Sequence, residues 1–407
     1  MQTLVIIGNG MAANRVLEEL GTDHQYDAIQ VIGDEHIPHY NRIMLSPLLA
    51  NETTLAAITP HDEAWYQERR IEVILGDGVK AVNVQYQQVE TNSGRLLPYG
   101  DLVFATGSRS FIPPVEGANH PAVIGFRTMS DVDAMVEKFG NLKHATVIGA
   151  GLLGVEAAVG LKLRGVDVTL LHRNPVLMNR QLDATASSIL EASLAERSID
   201  VRTGTSPVRL HGNSDAIQKI EIKSKRGEET LDTQLVVFAT GIAPNIELAI
   251  DAGITTQRGI CVNEQMKTCT TGIYALGECC EFDNQTYGLV APIWDQAKVL
   301  AAILKSNDDT APYKERTHLT KLKVSGLDMH SIGEYEASEG DDVIATEDLS
   351  EGVYRKLVLR ENKIVGVLCV GDVTDSHWYY ELMSDEADIS SIRDMLIFGQ
   401  AYCEQAA

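Results

Sequence analysis

Two short glycine-rich segments hold the residue types best suited to chemistry. Gly8-Asn9-Gly10-Met11-Ala12-Ala13 follows the β-branched run TLVII and opens a helical pattern. In a strand–turn–helix unit of this kind Gly8 permits a tight turn, Gly10 lets a pyrophosphate approach the backbone, and Ala13 leaves room for close helix–strand packing. The helix N-terminus adds partial positive charge that attracts phosphate. The next strand, AIQVIG, ends at Asp34-Glu35, where a carboxylate would take ribose hydroxyls; Glu35 is the first choice and Asp34 the second. The bland alternative is an ordinary glycine turn in a doubly wound sheet.

The second segment is Gly149-Ala150-Gly151-Leu152-Leu153-Gly154-Val155-Glu156, with all three glycines of the pattern in place. Two independent matches about 140 residues apart make a chance origin of either one hard to sustain. The strand that follows, VDVTLL, ends in His172-Arg173 rather than an acid. The usual carboxylate argument for NADH over NADPH therefore fails. Arg173 either faces a 2′-phosphate or is a solvated loop residue, and both nucleotides stay open.

The elements that must position these motifs repeat in the same way. Strand TLVIIG, a helix and strand AIQVIG form one βαβ unit; ATVIG, a helix and VDVTLLH form another. IEVILG, LVFATGS, LVVFATG and GIYALG read as further strands, SFIPPVEG as a crossing segment, and WDQAKVLAAILK as a helix. After about Thr310 the character changes to hairpin strands, KLKVSGLDMHSIG and YRKLVLR-EN-KIVGVLCVGD, with Asn362 in a tight turn. A final helical stretch is expected over HWYYELMSDEADISSIRDMLIFG.

Composition bounds the rest. The 407 residues exceed one ordinary core and suit two or three domains. Asp and Glu number 57 against 34 Lys and Arg, a formal charge of −23, which disfavours nucleic acid and anionic membrane surfaces as partners. No apolar run approaches the ~18 residues of a membrane span, and the N-terminus lacks a basic n-region, so a cytoplasmic protein is expected. The six cysteines, at 261, 269, 279, 280, 369 and 403, show no CxxC spacing and are expected as ordinary reduced thiols, with no metal site.

A third motif, Thr271-Gly272-Ile273-Tyr274-Ala275-Leu276-Gly277-Glu278, resembles the second FAD motif of the two-dinucleotide flavoprotein reductases, the pyridine nucleotide-disulfide oxidoreductase superfamily. Ala105-Thr106-Gly107 and Ala239-Thr240-Gly241-Ile242-Ala243-Pro244-Asn245 resemble its two ATG segments, where the chain crosses between domains. Tyr40-Asn41-Arg42 with Leu45-Ser46, Leu177 to Asp183, and Gly288 to Pro292 are similar to the flavin half of the NAD(P)H-dependent nitrite reductase large subunit family.

The resemblance implies an α/β fold with two Rossmann-like dinucleotide-binding domains and a C-terminal α+β domain. The FAD-binding domain would be discontinuous, 1–112 and 240–312, with an NAD(P)-binding domain at 113–239 and the last domain at 313–407. It implies FAD contacts at Gly8, Gly10, Ala13, Asp34, Glu35, Arg42, Ala105, Thr106, Gly107, Gly277, Glu278, Val290, Ala291 and Pro292. NADH, or alternatively NADPH, would meet Gly149, Gly151, Gly154, Glu156, His172, Arg173 and Gly241. Glu156 resembles the residue that orients the nicotinamide carboxamide; the alternative is a helix-start acid favoured by the dipole. Leu289 to Pro292 would line the flavin ahead of a helix N-terminus. Trp294 and Trp378 would shield it, unless they are core aromatics.

The implied activity is hydride transfer from NAD(P)H to FAD, with electrons passed to a small carrier such as rubredoxin or ferredoxin, or to a nitrate or nitrite reductase partner. A monomer or homodimer is expected. The chain shows no four-cysteine cluster motif, so nitrite reduction by this chain alone is not expected. Val16 to Ala50 holds no cysteine, which removes disulfide-reductase chemistry of the CxxxxC form, and Pro47 stands where relatives carry a lysine near the flavin. An NAD(P)H oxidase or peroxidase, and a flavin-bound redox sensor, are the competing readings.

Overall fold

The computed structural model describes residues 2–214, 216–306, 312–324 and 326–406. They divide into two units, one of residues 1–45, 53–109 and 242–316, the other of 46–52, 110–241 and 317–407.

The first unit is built on a five-stranded sheet in the order Ile273–Ala275, Asp101–Phe104, Thr3–Ile7, Ala28–Ile32, Ile71–Ile74. All four pairings are parallel. Its strands are nearly continuous apolar runs because a parallel sheet is covered on both faces; Leu4, Val5, Ile6, Leu102, Val103 and Phe104 are fully buried. The helix Met11–Leu20 crosses from the first strand to the second and packs against the long helix Val290–Ser306. That long helix begins four residues ahead of the expected WDQAKVLAAILK, with Pro292 in its first turn, where no amide donor is needed.

The second unit repeats the plan. Its sheet runs Asp200–Arg202, Asp167–Leu171, His144–Ile148, Leu235–Phe238, Val123–Gly125, again all parallel. The helix Leu152–Leu163 makes the first crossover. Here the edge strand Val123–Gly125 precedes the others in the chain, whereas its counterpart Ile273–Ala275 follows them.

The same unit carries an antiparallel sheet of five strands, Thr320–Val324, Leu327–Gly333, Lys363–Val370, Val353–Arg360 and Asp342–Asp348, backed by the helix Ser376–Ser384. The Glu361-Asn362 turn joins two of its strands with φ of 50° and 58°, the left-handed pair that a two-residue hairpin loop requires. Asp183 fastens this sheet to the helix it caps, accepting from Tyr354 Oη at 2.9 Å and Lys356 Nζ at 3.0 Å.

The final helical stretch is shorter than expected. The helix stops at Ser384, and 385–395 is irregular. Asp388 Oδ1 accepts from Ser390 N at 2.9 Å, a local bond that competes with the helix, and Ile389 N donates to Asn362 O at 2.9 Å. Ile389 and Leu396 are thereby buried against Tyr379, a pairing that a straight helix would prevent.

Candidate functional site: two glycine cradles

The two glycine turns have matching geometry. Gly8 has φ +111°, and a Cβ there would stand 2.2 Å from Ala105 O; Gly149 has φ +102°, and its Cβ would stand 2.4 Å from Ala239 O. Each first glycine is therefore required twice, by its backbone angle and by the neighbouring strand end. At the third position Ala13 is fully buried and Gly154 leaves no room at all, a Cβ there meeting Gly149 O at 1.7 Å.

The middle glycines differ. Gly10 and Gly151 are helix N-caps with extended backbone, φ −90° and −76°, and a Cβ at either would meet nothing within 4 Å. Neither conformation nor packing within the protein calls for glycine there. An approaching pyrophosphate does, because side-chain bulk would hold it off the helix amides. Both cradles thus fit a dinucleotide.

Around the first cradle the chain gathers its other predicted residues. Glu35, half-buried, accepts from Arg42 Nη2 at 2.5 Å and from Tyr40 Oη at 2.9 Å, while Asp34 is exposed. Glu35 and Arg42, both expected at the cofactor, are therefore one ion pair. A carboxylate has more acceptor sites than two bonds consume, so Glu35 can still receive a hydroxyl. Thr106 and Gly107 are held to Asn245: Thr106 Oγ1 donates to Asn245 O at 2.7 Å, and Asn245 N to Gly107 O at 2.9 Å. Ala105 is buried at the strand end.

Glu278 accepts from Ser108 Oγ at 3.0 Å. Gly277, at φ +83°, donates its amide to Gln296 Oε1 at 2.8 Å. Sequence reading missed Ser108 and Gln296. Gln296 is fully buried within an apolar helix face, and a polar residue at such a position is the one signal that could have found it. Val290, Ala291 and Pro292 form the first turn of the helix itself, with Pro292 buried, rather than a stretch preceding it. Trp294 lies in the same helix beneath the Arg15 guanidinium, 5.6 Å from the ring centre. Trp378 packs at the edge of the C-terminal core beside Tyr379.

Around the second cradle, His172 Nδ1 accepts from Ala150 N at 3.1 Å and its Nε2 faces Asn179 Oδ1 at 3.2 Å. Burial lowers its pKa, so the ring serves as a neutral brace of the glycine turn. Arg173 is exposed. Gly241, at φ +121°, has open space at its Cβ and accepts from Phe111 N at 2.9 Å.

Glu156 is half-buried on the cradle's helix and accepts from Ser46 Oγ at 2.5 Å. Burial raises its carboxyl to about 7, and the Ser46 hydroxyl opposes the rise. Ser46 belongs to a segment, 46–52, that lies along this helix. Leu49 presses on Gly160, where a Cβ would stand 3.0 Å from Leu49 Cδ2, and Arg164 Nε donates to Leu49 O at 2.7 Å.

Residues 2–299 match the family model described as pyridine nucleotide-disulphide oxidoreductase, and 319–387 match that of the rubredoxin NAD+ reductase C-terminal domain. The chain belongs to the pyridine nucleotide-disulphide oxidoreductase family. Family members of this build are FAD-dependent NAD(P)H oxidoreductases, and both nucleotide motifs are present here. The chain is 40% identical to a nitrite reductase [NAD(P)H] of Bacillus subtilis (strain 168), over 95% of this chain and 48% of that protein. It is 38% identical to the assimilatory nitrate reductase electron transfer subunit of the same organism, over 97% of this chain and 51% of that one. It thus spans about half the length of these relatives. A ferredoxin reductase from Rhodopseudomonas palustris superposes with a TM-score of 0.87 at 25% identity, over the full length of both chains. Among the described residues, no helix is long and apolar enough to cross a membrane.

Proposed function

We propose that this chain takes hydride from NADH or NADPH onto FAD and passes the electrons to a separate protein, a small carrier or a reductase partner. The observation that carries the reading is the pair of cradles, each with a middle glycine, Gly10 or Gly151, that nothing within the protein requires. The match of 319–387 to a rubredoxin reductase domain, and a relative named as an electron transfer subunit, support delivery to a protein acceptor.

When bound, FAD supplies the hydride acceptor and the conversion from two-electron to one-electron delivery. The chain's residues bind and orient. Gly8, Gly10 and Ala13 admit the FAD pyrophosphate to the amides of Met11–Leu20; Glu35, with Asp34 beside it, takes ribose hydroxyls, and Arg42 lends positive charge. Ala105, Thr106 and Gly107 would lie beneath the bound cofactor, and Glu278 would accept a ribityl hydroxyl. Val290, Ala291 and Pro292 form a helix N-terminus that would offer partial positive charge to a bound flavin. Gly149, Gly151 and Gly154 would hold the nicotinamide nucleotide, with His172, Arg173 and Gly241 at its edges and Glu156 placed to accept from the carboxamide.

The parts divide as 1–112 with 240–312 for FAD, 113–239 for NAD(P), and 313–407 for the third domain. Dependence on NAD(P)H supports a cytoplasmic location. Two substitutions test the division of labour. Gly10→Glu is expected to yield protein without FAD. Gly151→Glu is expected to stay yellow but to need roughly 10-fold or more NADH for the same reduction rate, since a carboxylate would repel the pyrophosphate. A Gly151→Glu variant reduced as readily as the parent would sink the assignment.

A further inference from the structure

We propose that Cys261 and Cys269 form a dithiol that exchanges with low-molecular-weight disulfides and closes into an intramolecular disulfide. The geometry begins with an antiparallel bridge between Thr256 and Ile260. Gln257 N donates to Gly259 O at 2.9 Å, and Cys261 N to Thr255 O at 3.0 Å. That pattern sets Thr255 opposite Cys261, so the two side chains leave the same face with Cβ atoms about 5 Å apart. From the other direction, Thr255 Oγ1 donates to Cys269 Sγ at 3.3 Å. One threonine therefore touches the Cys269 thiol and stands opposite Cys261 across the hairpin.

The two thiols are unequal in the way that exchange requires. Cys269 is exposed, and the Thr255 hydroxyl beside it lowers its pKa. Cys261 is half-exposed, and burial, then the Glu281 carboxylate, raises its pKa. Cys269 is the attacking sulfur and Cys261 the resolving one. The other four cysteines are buried, among them the adjacent Cys279 and Cys280, so they do not compete.

The step balances with a small disulfide, RSSR, as oxidant. Cys269 thiolate attacks one sulfur of RSSR, forming a mixed disulfide and expelling RS⁻. Cys261 thiolate then attacks the Cys269 sulfur and expels the second RS⁻. Two protein thiols are oxidised, RSSR is reduced, and the two released protons end on two RSH. The bridge would tie the hairpin at 255–261 to the segment entering Ile273–Ala275 and the Gly277-Glu278 turn, which Lys267 already meets through its bridge to Tyr274. The proposal is independent of the reading of the glycine cradles.

The test is incubation of the full chain with oxidised glutathione, alkylation of remaining thiols, and non-reducing peptide mapping by mass spectrometry. The expected product joins the Cys261 and Cys269 peptides, lighter by two hydrogens than the dithiol. Cys261→Ser is expected to accumulate a glutathione adduct at Cys269, and Cys269→Ser to react about 10-fold more slowly. A parent chain that keeps glutathione on Cys269 without closing the bridge would overturn the proposal. So would a Cys269→Ser variant reacting at the parent rate.

Discussion

At the residue scale the carboxyl of Glu156, raised to about 7 by burial and met by Ser46, makes stability depend on pH. Its folded pKa lies above the ordinary carboxylate value of 4.5, so the folded chain holds a proton that the unfolded chain has released. This group costs nothing below its unfolded pKa; the penalty grows as pH rises through the window from 4.5 to about 7, and is complete above it. Denaturant unfolding on either side of that window should show a loss of up to about 3 kcal/mol, and Glu156→Gln should flatten that part of the profile. A parent profile level across the window would remove the buried-acid account. A second substitution concerns packing. Gly154→Ala would place a methyl 1.7 Å from Gly149 O, and it should cost about 3 kcal/mol or prevent folding of the second unit. The position of Glu156 was legible in the sequence because the motif numbers it. Its partner was not, because Ser46 lies 110 residues away and only tertiary structure brings the two together.

At the scale of elements, the helix Leu152–Leu163 and the arginine after it offer a stripe of Glu156, Gly160 and Arg164, and the 46–52 segment lies along it. Gly160 has an ordinary helical place, so its smallness serves Leu49. Gly160→Val should displace the segment at a cost of about 1–3 kcal/mol, read as a lower thermal midpoint and as new proteolytic cleavage within 46–52. Unchanged cleavage and stability would mean the contact is incidental. The first parallel sheet and the three central strands of the second were legible as β-branched runs alternating with helical pattern, the short edge strands Val123–Gly125 and Asp200–Arg202 were not, and the Glu361-Asn362 turn announced its hairpin. The end of the last helix was not legible. Its apolar residues continue at helical spacing past Ser384, but Ile389 is buried against Tyr379 from an irregular segment, tied by its amide to Asn362 O, and Leu396 from the 3-10 turn that follows. Periodicity marks which side chains are buried without saying which backbone presents them.

At the scale of the whole molecule, a formal charge of −23 sets the conditions for meeting an acceptor. An acidic carrier of the ferredoxin or rubredoxin type would be repelled at long range, so its rate of reduction should rise as salt increases from about 0.01 to about 0.15 M and the Debye length falls from ~30 to ~8 Å. A rate that falls steeply over the same range would instead locate a basic docking face within an acidic protein. Electron flow from nicotinamide to flavin to acceptor can be followed by anaerobic mixing. The purified yellow protein is mixed with NADH, and separately with NADPH, while the flavin absorbance near ~450 nm is followed. At least one nucleotide should bleach the band within seconds, and an added oxidised carrier protein should restore it. A flavin band that neither nucleotide bleaches would contradict that electron flow.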